Sequence, residues 1–171
     1  MYALDHGLYI SNLHNISDRV TLDYGVRLSI FQNIGPGEVY LYEDPKDNVD
    51  IVRTDTLDYD SWESIRTFVN FEPRFSMRYL LGQGQSLKFS YNRMVQNTHL
   101  ISGATAPVPF NTWNPSNYYL EPQVADQVAA GYFRNFKNNE YEFSAEVYYK
   151  DIDNVTDFAD NAQLFFNQDL S

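Results

Sequence analysis

Cysteine is absent from these 171 residues, so neither a disulfide framework nor thiolate chemistry is available, and redox usage gives no compartment. Long apolar runs are missing as well. No stretch approaches the roughly 18 consecutive apolar residues of a transmembrane helix, and the mean hydropathy is negative. Basic residues are scarce: 12 Lys and Arg face 23 Asp and Glu, a net charge of -11. Nucleic acid is thereby excluded as a partner, because phosphate binding needs a basic surface that releases counterions. The start, Met1-Tyr2-Ala3-Leu4-Asp5-His6-Gly7, has neither a basic n-region nor an apolar h-region. An export signal, if one exists, is expected outside this chain.

Catalytic constellations are lacking too. His6, His14 and His99 are scattered, and none has a second His or a carboxylate at metal-ligand spacing. No serine lies in a nucleophile-elbow context. The reading is that the chain is not an enzyme and uses no metal or cofactor.

What is present is alternation. Val20, Leu22, Tyr24, Val26, Leu28 and Ile30 lie on one parity, and Thr21, Asp23, Gly25, Arg27 and Ser29 on the other. Successive side chains of a strand point to opposite faces, so this segment has one apolar and one polar side. The 14 Tyr and 12 Phe also favour strands. Five further segments repeat the pattern: Leu4 to Ser11, Thr67 to Leu80, Leu87 to Gln96, Val124 to Phe136 and Tyr141 to Lys150. Short turns at Asn15 to Arg19, Gly82 to Gln85 and Lys137 to Asn139 make three hairpins of them.

The connections between hairpins are long. Gln32 to Arg66 is rich in Asp, Gly and Pro, Asn97 to Gln123 carries four prolines, and a third connection begins at Asp153. Compact soluble domains rarely hold structureless loops beyond roughly 12 to 15 residues. Tight turns alternating with long loops are the rhythm of an outer-membrane barrel, with short periplasmic turns and long extracellular loops, and strands of about 9 to 11 residues suffice to span the bilayer. The expected fold is therefore all-β: an antiparallel up-and-down meander of about six strands, an arc of a transmembrane barrel. Six strands cannot close a barrel of ordinary size, so an open sheet with two unpaired edges is expected. Two residues interrupt the pattern. Arg93 falls on the apolar parity, which implies a bulge or a headgroup-level position. Pro73 lies inside a strand, which implies a bulge or a part of the strand beyond the membrane.

Ordered short runs resemble a known family. Tyr24-Gly25-Val26-Arg27, Glu72-Pro73-Arg74-Phe75-Ser76 and Leu87-Lys88-Phe89-Ser90-Tyr91 are similar to successive barrel strands of TonB-dependent outer-membrane receptors of the Bacteroidetes type. Asn114-Pro115, Leu120-Glu121-Pro122, Gln127 and Gly131-Tyr132 resemble their next loop and strand, and Tyr141 to Lys150 the strand after it. The resemblance covers nearly the whole chain. It implies a barrel of about 22 strands around an N-terminal plug, with TonB pulling on a box ahead of the plug to admit a nutrient. Plug, TonB box and C-terminal strands have no counterpart here, so residues 1–171 are expected to be an internal part of the barrel domain. Implied partners are outer-membrane lipid, the plug and TonB of the full-length protein, an unknown nutrient ligand and, as a further option, a surface lipoprotein.

Site expectations follow from the placement of strands and loops. Arg27, Arg74, Arg78, Lys88, Glu142, Glu146 and Lys150 share the polar parity and would line the lumen, where mixed charge suits contact with a plug. Phe31, Phe71, Phe75, Tyr79, Phe89, Tyr141, Phe143 and Tyr149 would form the lipid face and its girdles. Trp113, Tyr118 and Tyr119 fall in a long loop, where ligand contact and interfacial anchoring both account for them. The acidic run from Glu43 to Asp60 reads as a solvated loop, since EF-hand spacing and its glycine are missing. Two other functions remain open: a soluble all-β sandwich that binds through its surface, and a passive outer-membrane barrel or adhesin without TonB coupling.

Overall fold

The computed structural model describes residues 2–42, 53–101, 112–137 and 140–155. Among the described residues ten strands form: β1 (Tyr2–Ser17), β2 (Val20–Ile34), β3 (Gly37–Tyr42), β4 (Arg53–Tyr59), β5 (Ser64–Gly82), β6 (Gln85–Gln96), β7 (Thr98–Ile101), β8 (Thr112–Pro115), β9 (Gln123–Phe136) and β10 (Tyr141–Asp153). Six of them make one antiparallel sheet in the order β1-β2-β5-β6-β9-β10. This is the expected meander. It is open, with β1 and β10 at its two edges, and no second sheet packs on it among the described residues, so the sandwich does not form.

Strands run further than the alternation alone suggests. β5 extends over 19 residues and β1 over 16, because ladder hydrogen bonds continue wherever a neighbour persists, whatever the side-chain pattern. The turns shrink to match. Ser17 Oγ accepts hydrogen bonds from the Arg19 and Val20 amides at 3.3 and 3.2 Å, closing β1 onto β2. Gly84 has φ +69°, the left-handed conformation a tight β5–β6 turn requires.

The long connections are not structureless. β3 pairs with β4 from Gly37↔Tyr59 to Tyr42↔Arg53, and β7 with β8 from Thr98↔Pro115 to Ile101↔Thr112. Each is a two-stranded ribbon that leaves the sheet where polar residues end the alternation. At the root of the first, the Gly35 amide donates to Glu63 O at 2.9 Å and the Trp62 amide to Gly35 O at 3.2 Å. A Cβ on Gly35 would run into Asp60 O, so only glycine fits this crossing. Residues 43–52 of the acidic run lie outside the described residues; Asp55 and Asp58 stand in β4.

Neither interruption is a bulge. β2 pairs with β5 without a shift from Val20↔Tyr79 to Asn33↔Arg66, straight through Val26↔Pro73. Instead the β5–β6 ladder ends beside the proline, its last pair being Arg74↔Asn92, while β6 stays paired with β9 to Gln96↔Gln123. Pro73 lacks the N–H that would continue that ladder. β6 also runs unbroken past Arg93, which pairs with Asp126.

Among the described residues buried apolar side chains are few and sit at one end: Phe31, Ile34, Val39 and Ile65, where the ribbons join the sheet. On the rest of the apolar parity, Val20, Leu22, Val26, Leu28 and Ile30 of β2 are half-buried and many others lie open. Val69 is 57%, Phe71 64%, Phe143 50%, Val147 69% and Tyr149 67% exposed.

Candidate functional site: a charged sheet face under an aromatic loop

Side chains paired across antiparallel strands point to the same side. Register therefore fixes the face of every expected charged residue. One row reads Gly25, Arg74, Asn92, Gln127, Lys150; the next reads Thr21, Arg78, Lys88, Gly131, Glu146. Arg27 lies two residues from Gly25, and Glu142, paired with Asn135, four from Glu146, so all seven share this face.

A hollow of about 380 Å³ is lined from all six strands, including Leu13 of β1, Asp23 of β2, Arg78 of β5, Lys88 of β6, Phe133 of β9 and Glu146 of β10. Arg78, Lys88 and Glu142 also border a second hollow of about 310 Å³ nearer the turns. Gly131 leaves room for the side chains beside it. At Gly131 a Cβ would meet the Phe133 ring at 2.8 Å and Glu146 at 3.1 Å. Lys88 Nζ rests 4.0 Å from the centroid of that Phe133 ring, a cation on an aromatic face. Further up, Arg27 Nε and Glu72 Oε1 are 3.8 Å apart.

The opposite face carries the aromatics, with one correction. Phe71, Phe75, Tyr79, Phe89, Tyr141, Phe143 and Tyr149 share the apolar side, but Phe31 is on the charged side, paired with Phe68 and 4% exposed. Phe31 keeps the register of β2 and stands on the same side as Arg27, Ser29 and Asn33, the last of which meets Ser116 of the loop. On the apolar face, Arg93 Nε lies 3.8 Å from Asp126 Oδ2, Tyr91 donates its hydroxyl to Asp126 Oδ1 at 2.7 Å, and Asp151 pairs with Asp126 in register. This charged row stands on the loop side of Tyr91, Val128 and Tyr149.

Loop residues converge above. Trp113 pairs with Leu100 in the β7–β8 ribbon and is 61% exposed. Asn117 Oδ1 accepts the Tyr119 and Leu120 amides at 2.9 and 3.0 Å, and the Asn117 amide donates to Leu120 O at 2.9 Å. This Asx-type turn sets Tyr118 and Tyr119 edge to face with ring centroids 5.2 Å apart. Tyr119 donates its hydroxyl to Tyr40 O at 2.6 Å, and the Arg66 guanidinium sits 5.6 Å from the Tyr118 ring centroid. Trp113 is not drawn into this cluster by any of these contacts.

Several residues here carry no periodic signal in the sequence. Ser116 is fully buried: its amide donates to Asn97 O at 2.8 Å, its carbonyl accepts from Asn33 Nδ2 at 2.6 Å, and its Oγ lies 3.0 Å from His99 Nε2. Burial holds the His99 imidazole below its ordinary pKa, partly offset by a hydrogen bond to the Glu121 backbone. Trp62, 78% exposed, holds a φ of 68° in the turn before β5. A lone Trp beside acidic residues shows nothing of that strain in sequence.

Comparison with curated proteins and with solved structures gave no significant match. The family model for the TonB dependent receptor-like β-barrel matches residues 2–169. That family comprises outer-membrane receptors and transporters, its full-length members acting with a plug domain and TonB. An open antiparallel meander with one charged and one exposed apolar face is what such a match requires, and the chain belongs to the TonB-dependent receptor β-barrel family.

Proposed function

We propose that this chain is one arc of the wall of a TonB-dependent outer-membrane transporter that takes up a nutrient, with the charged face toward the lumen and plug and the apolar face toward lipid. One observation carries the reading: a single-layer sheet whose exposed side is aromatic and aliphatic, with nothing packed on it among the described residues. In water such a surface would be an aggregation hazard. In a bilayer it is the required surface, and its height fits. Ten residues separate Val20 from Ile30, a path of roughly 33 Å, or roughly 23 Å after a tilt near 45°, close to the apolar band of about 25 Å in outer-membrane barrels. The Arg93–Asp126–Asp151 row continues the register of Val26↔Pro73 across the sheet, so it would reach headgroup level, where paired charge costs little, only through the drift in depth from strand to strand that the tilt imposes.

Arg27, Arg74, Arg78, Lys88, Glu142, Glu146 and Lys150 would face the plug, and Trp113, Tyr118, Tyr119 and Trp62 would meet ligand at the mouth. Aromatic rings offer rigid contact area there at small entropic cost. The test uses the full-length gene in its cell. The protein should fractionate with the outer membrane, leave it only in detergent, and support uptake that stops when TonB is removed. Uptake indifferent to TonB would leave a passive barrel. A detergent-free, monodisperse monomer with cooperative unfolding from this segment would overturn the membrane reading itself.

A further inference from the structure

Above Pro73 the sheet is divided. The β5–β6 ladder stops at Arg74↔Asn92, yet β5 continues with β2 to Ser64, and β6 with β9 to Gln96. Two three-stranded blocks, β1-β2-β5 and β6-β9-β10, are thus joined by a ladder near the turns and part toward the loops. The turn after β8 reaches across. It belongs by chain to the β6–β9 block, but its contacts lie in the other: Asn33 at the end of β2, Arg66 in β5 and Tyr40 in β3.

We propose that Ser116 is the pin of a clasp that closes the wall above Pro73 and holds Tyr118 and Tyr119 in place over the charged face. Three hydrogen bonds meet on this one residue from Asn97, Asn33 and His99, all of them buried. Its amide and hydroxyl bonds are internal to the β6–β9 block; the carbonyl bond to Asn33 is the one that crosses. Asn33 enters the clasp because it shares the face of Arg27 and Ser29, four residues above the last, so that its amide points under the turn.

The clasp is closed on a narrow margin. Asn33 Oδ1 and Asn97 Oδ1 are buried without a hydrogen-bond partner among the described residues, and an unsatisfied buried acceptor works against the bonds beside it. A contact that is specific in geometry but weakly favoured in sum is suited to release. Opening it would free the tyrosine turn and leave the β5 and β6 edges facing each other with no ladder between them. The clasp itself follows from the geometry; that the turn it holds meets ligand rests on the function proposed above.

Hydrogen exchange on the full-length protein in detergent, without any ligand, tests the clasp apart from that function. Asn33→Leu and Ser116→Ala should each speed exchange across residues 112–122 by about tenfold or more, with the Arg74–Asn92 ladder unchanged and Ser116→Thr close to wild type. Should Asn33→Leu fail to assemble, Tyr119→Phe, which gives up the bond to Tyr40 O, replaces it. Unchanged exchange in 112–122 overturns the proposal, as does an equal rise in the ladder, which would mean general loosening. A clasp that loosens as expected while uptake stays normal would instead count against the aromatic loop as a ligand site.

Discussion

The Arg27 guanidinium lies over Gly7 of the neighbouring strand: a Cβ built there would be 2.9 Å from Arg27 Nη2. Only glycine leaves that path clear, and along it Arg27 comes to within 3.8 Å of Glu72 on the other side. Gly25 faces the same way but is crowded by backbone, its Cβ position 2.7 Å from Ile10 O and 3.0 Å from Ser11 Cα. The two glycines should answer differently to alanine. Gly7→Ala needs only the flexible end of Arg27 to move, forfeiting a partly exposed ion pair, and should cost less than about 1 kcal/mol. Gly25→Ala must push two strands apart and should cost about 1 to 3 kcal/mol. Denaturant unfolding of the full-length receptor in detergent or lipid compares them; equal costs would refute the close approach of β1 to β2.

Phe89 and Ser90 are neighbours on β6 that point to opposite faces. If the apolar face meets lipid, Phe89→Arg should cost roughly 2 to 4 kcal/mol, while Ser90→Arg, on the charged face, should cost far less. Folding yield into lipid vesicles and unfolding midpoints report both. Equal tolerance of the two arginines would place water, not lipid, outside.

Trp62 holds a left-handed φ of 68° with its side chain 78% exposed. A side chain kept in that conformation costs of order 1 kcal/mol relative to glycine. Trp62→Gly should therefore leave stability unchanged or raise it by about 1 kcal/mol. Uptake of the nutrient that depends on the intact gene should nevertheless fall, as it should for Trp113→Ala. Normal uptake in both variants would remove the two tryptophans from the ligand site.

His99 gives the mouth a pH dependence with a defined sign. Burial lowers its pKa below the ordinary 6.5, so the neutral ring is the folded form. The stabilisation is complete above pH 6.5 and is lost as pH falls through the lower folded value. Protection of the amides in 112–122, taken relative to their intrinsic exchange at each pH, should fall on acidification below 6.5, and His99→Gln should flatten that response. Loss of protection confined to the alkaline side would contradict the assignment.

The wall was legible in sequence because it obeys a two-residue period over many residues. Val20 to Ile30 and Tyr141 to Lys150 each show it, and their registers follow once one face is apolar. The mouth was not legible, since its bonds join residues far apart in the chain. Asn33 meets Ser116 and Tyr119 meets Tyr40 with no pattern linking them. The ribbons β3–β4 and β7–β8 hid in segments whose Pro, Gly and Asp content reads as loop. Phe31 departs from expectation for a related reason: an aromatic at a strand end reads with the lipid face, although its register sets it on the charged side, buried at the loop end. The seven charged residues share a face as the parity implies, but parity is silent on which of them share a hollow.

The buried apolar residues Phe31, Ile34, Val39 and Ile65 all stand at the loop end, so a single strand is subject to two rules of substitution. From Val20 to Leu28 the outward side chains of β2 would border a fluid that refills any space, and one apolar residue can stand for another while a charge cannot. At the loop end, on the charged side that Phe31 and Asn33 share, the space is instead bounded by protein on a fixed outline. There a truncation such as Phe31→Ala leaves a hole worth about 3 to 5 kcal/mol, whereas a polar residue with matched bonds, such as Asn33, is accommodated. Tolerance to mutation should thus invert within a few residues along β2, marking where the solvent of the wall ends and the protein begins to be its own.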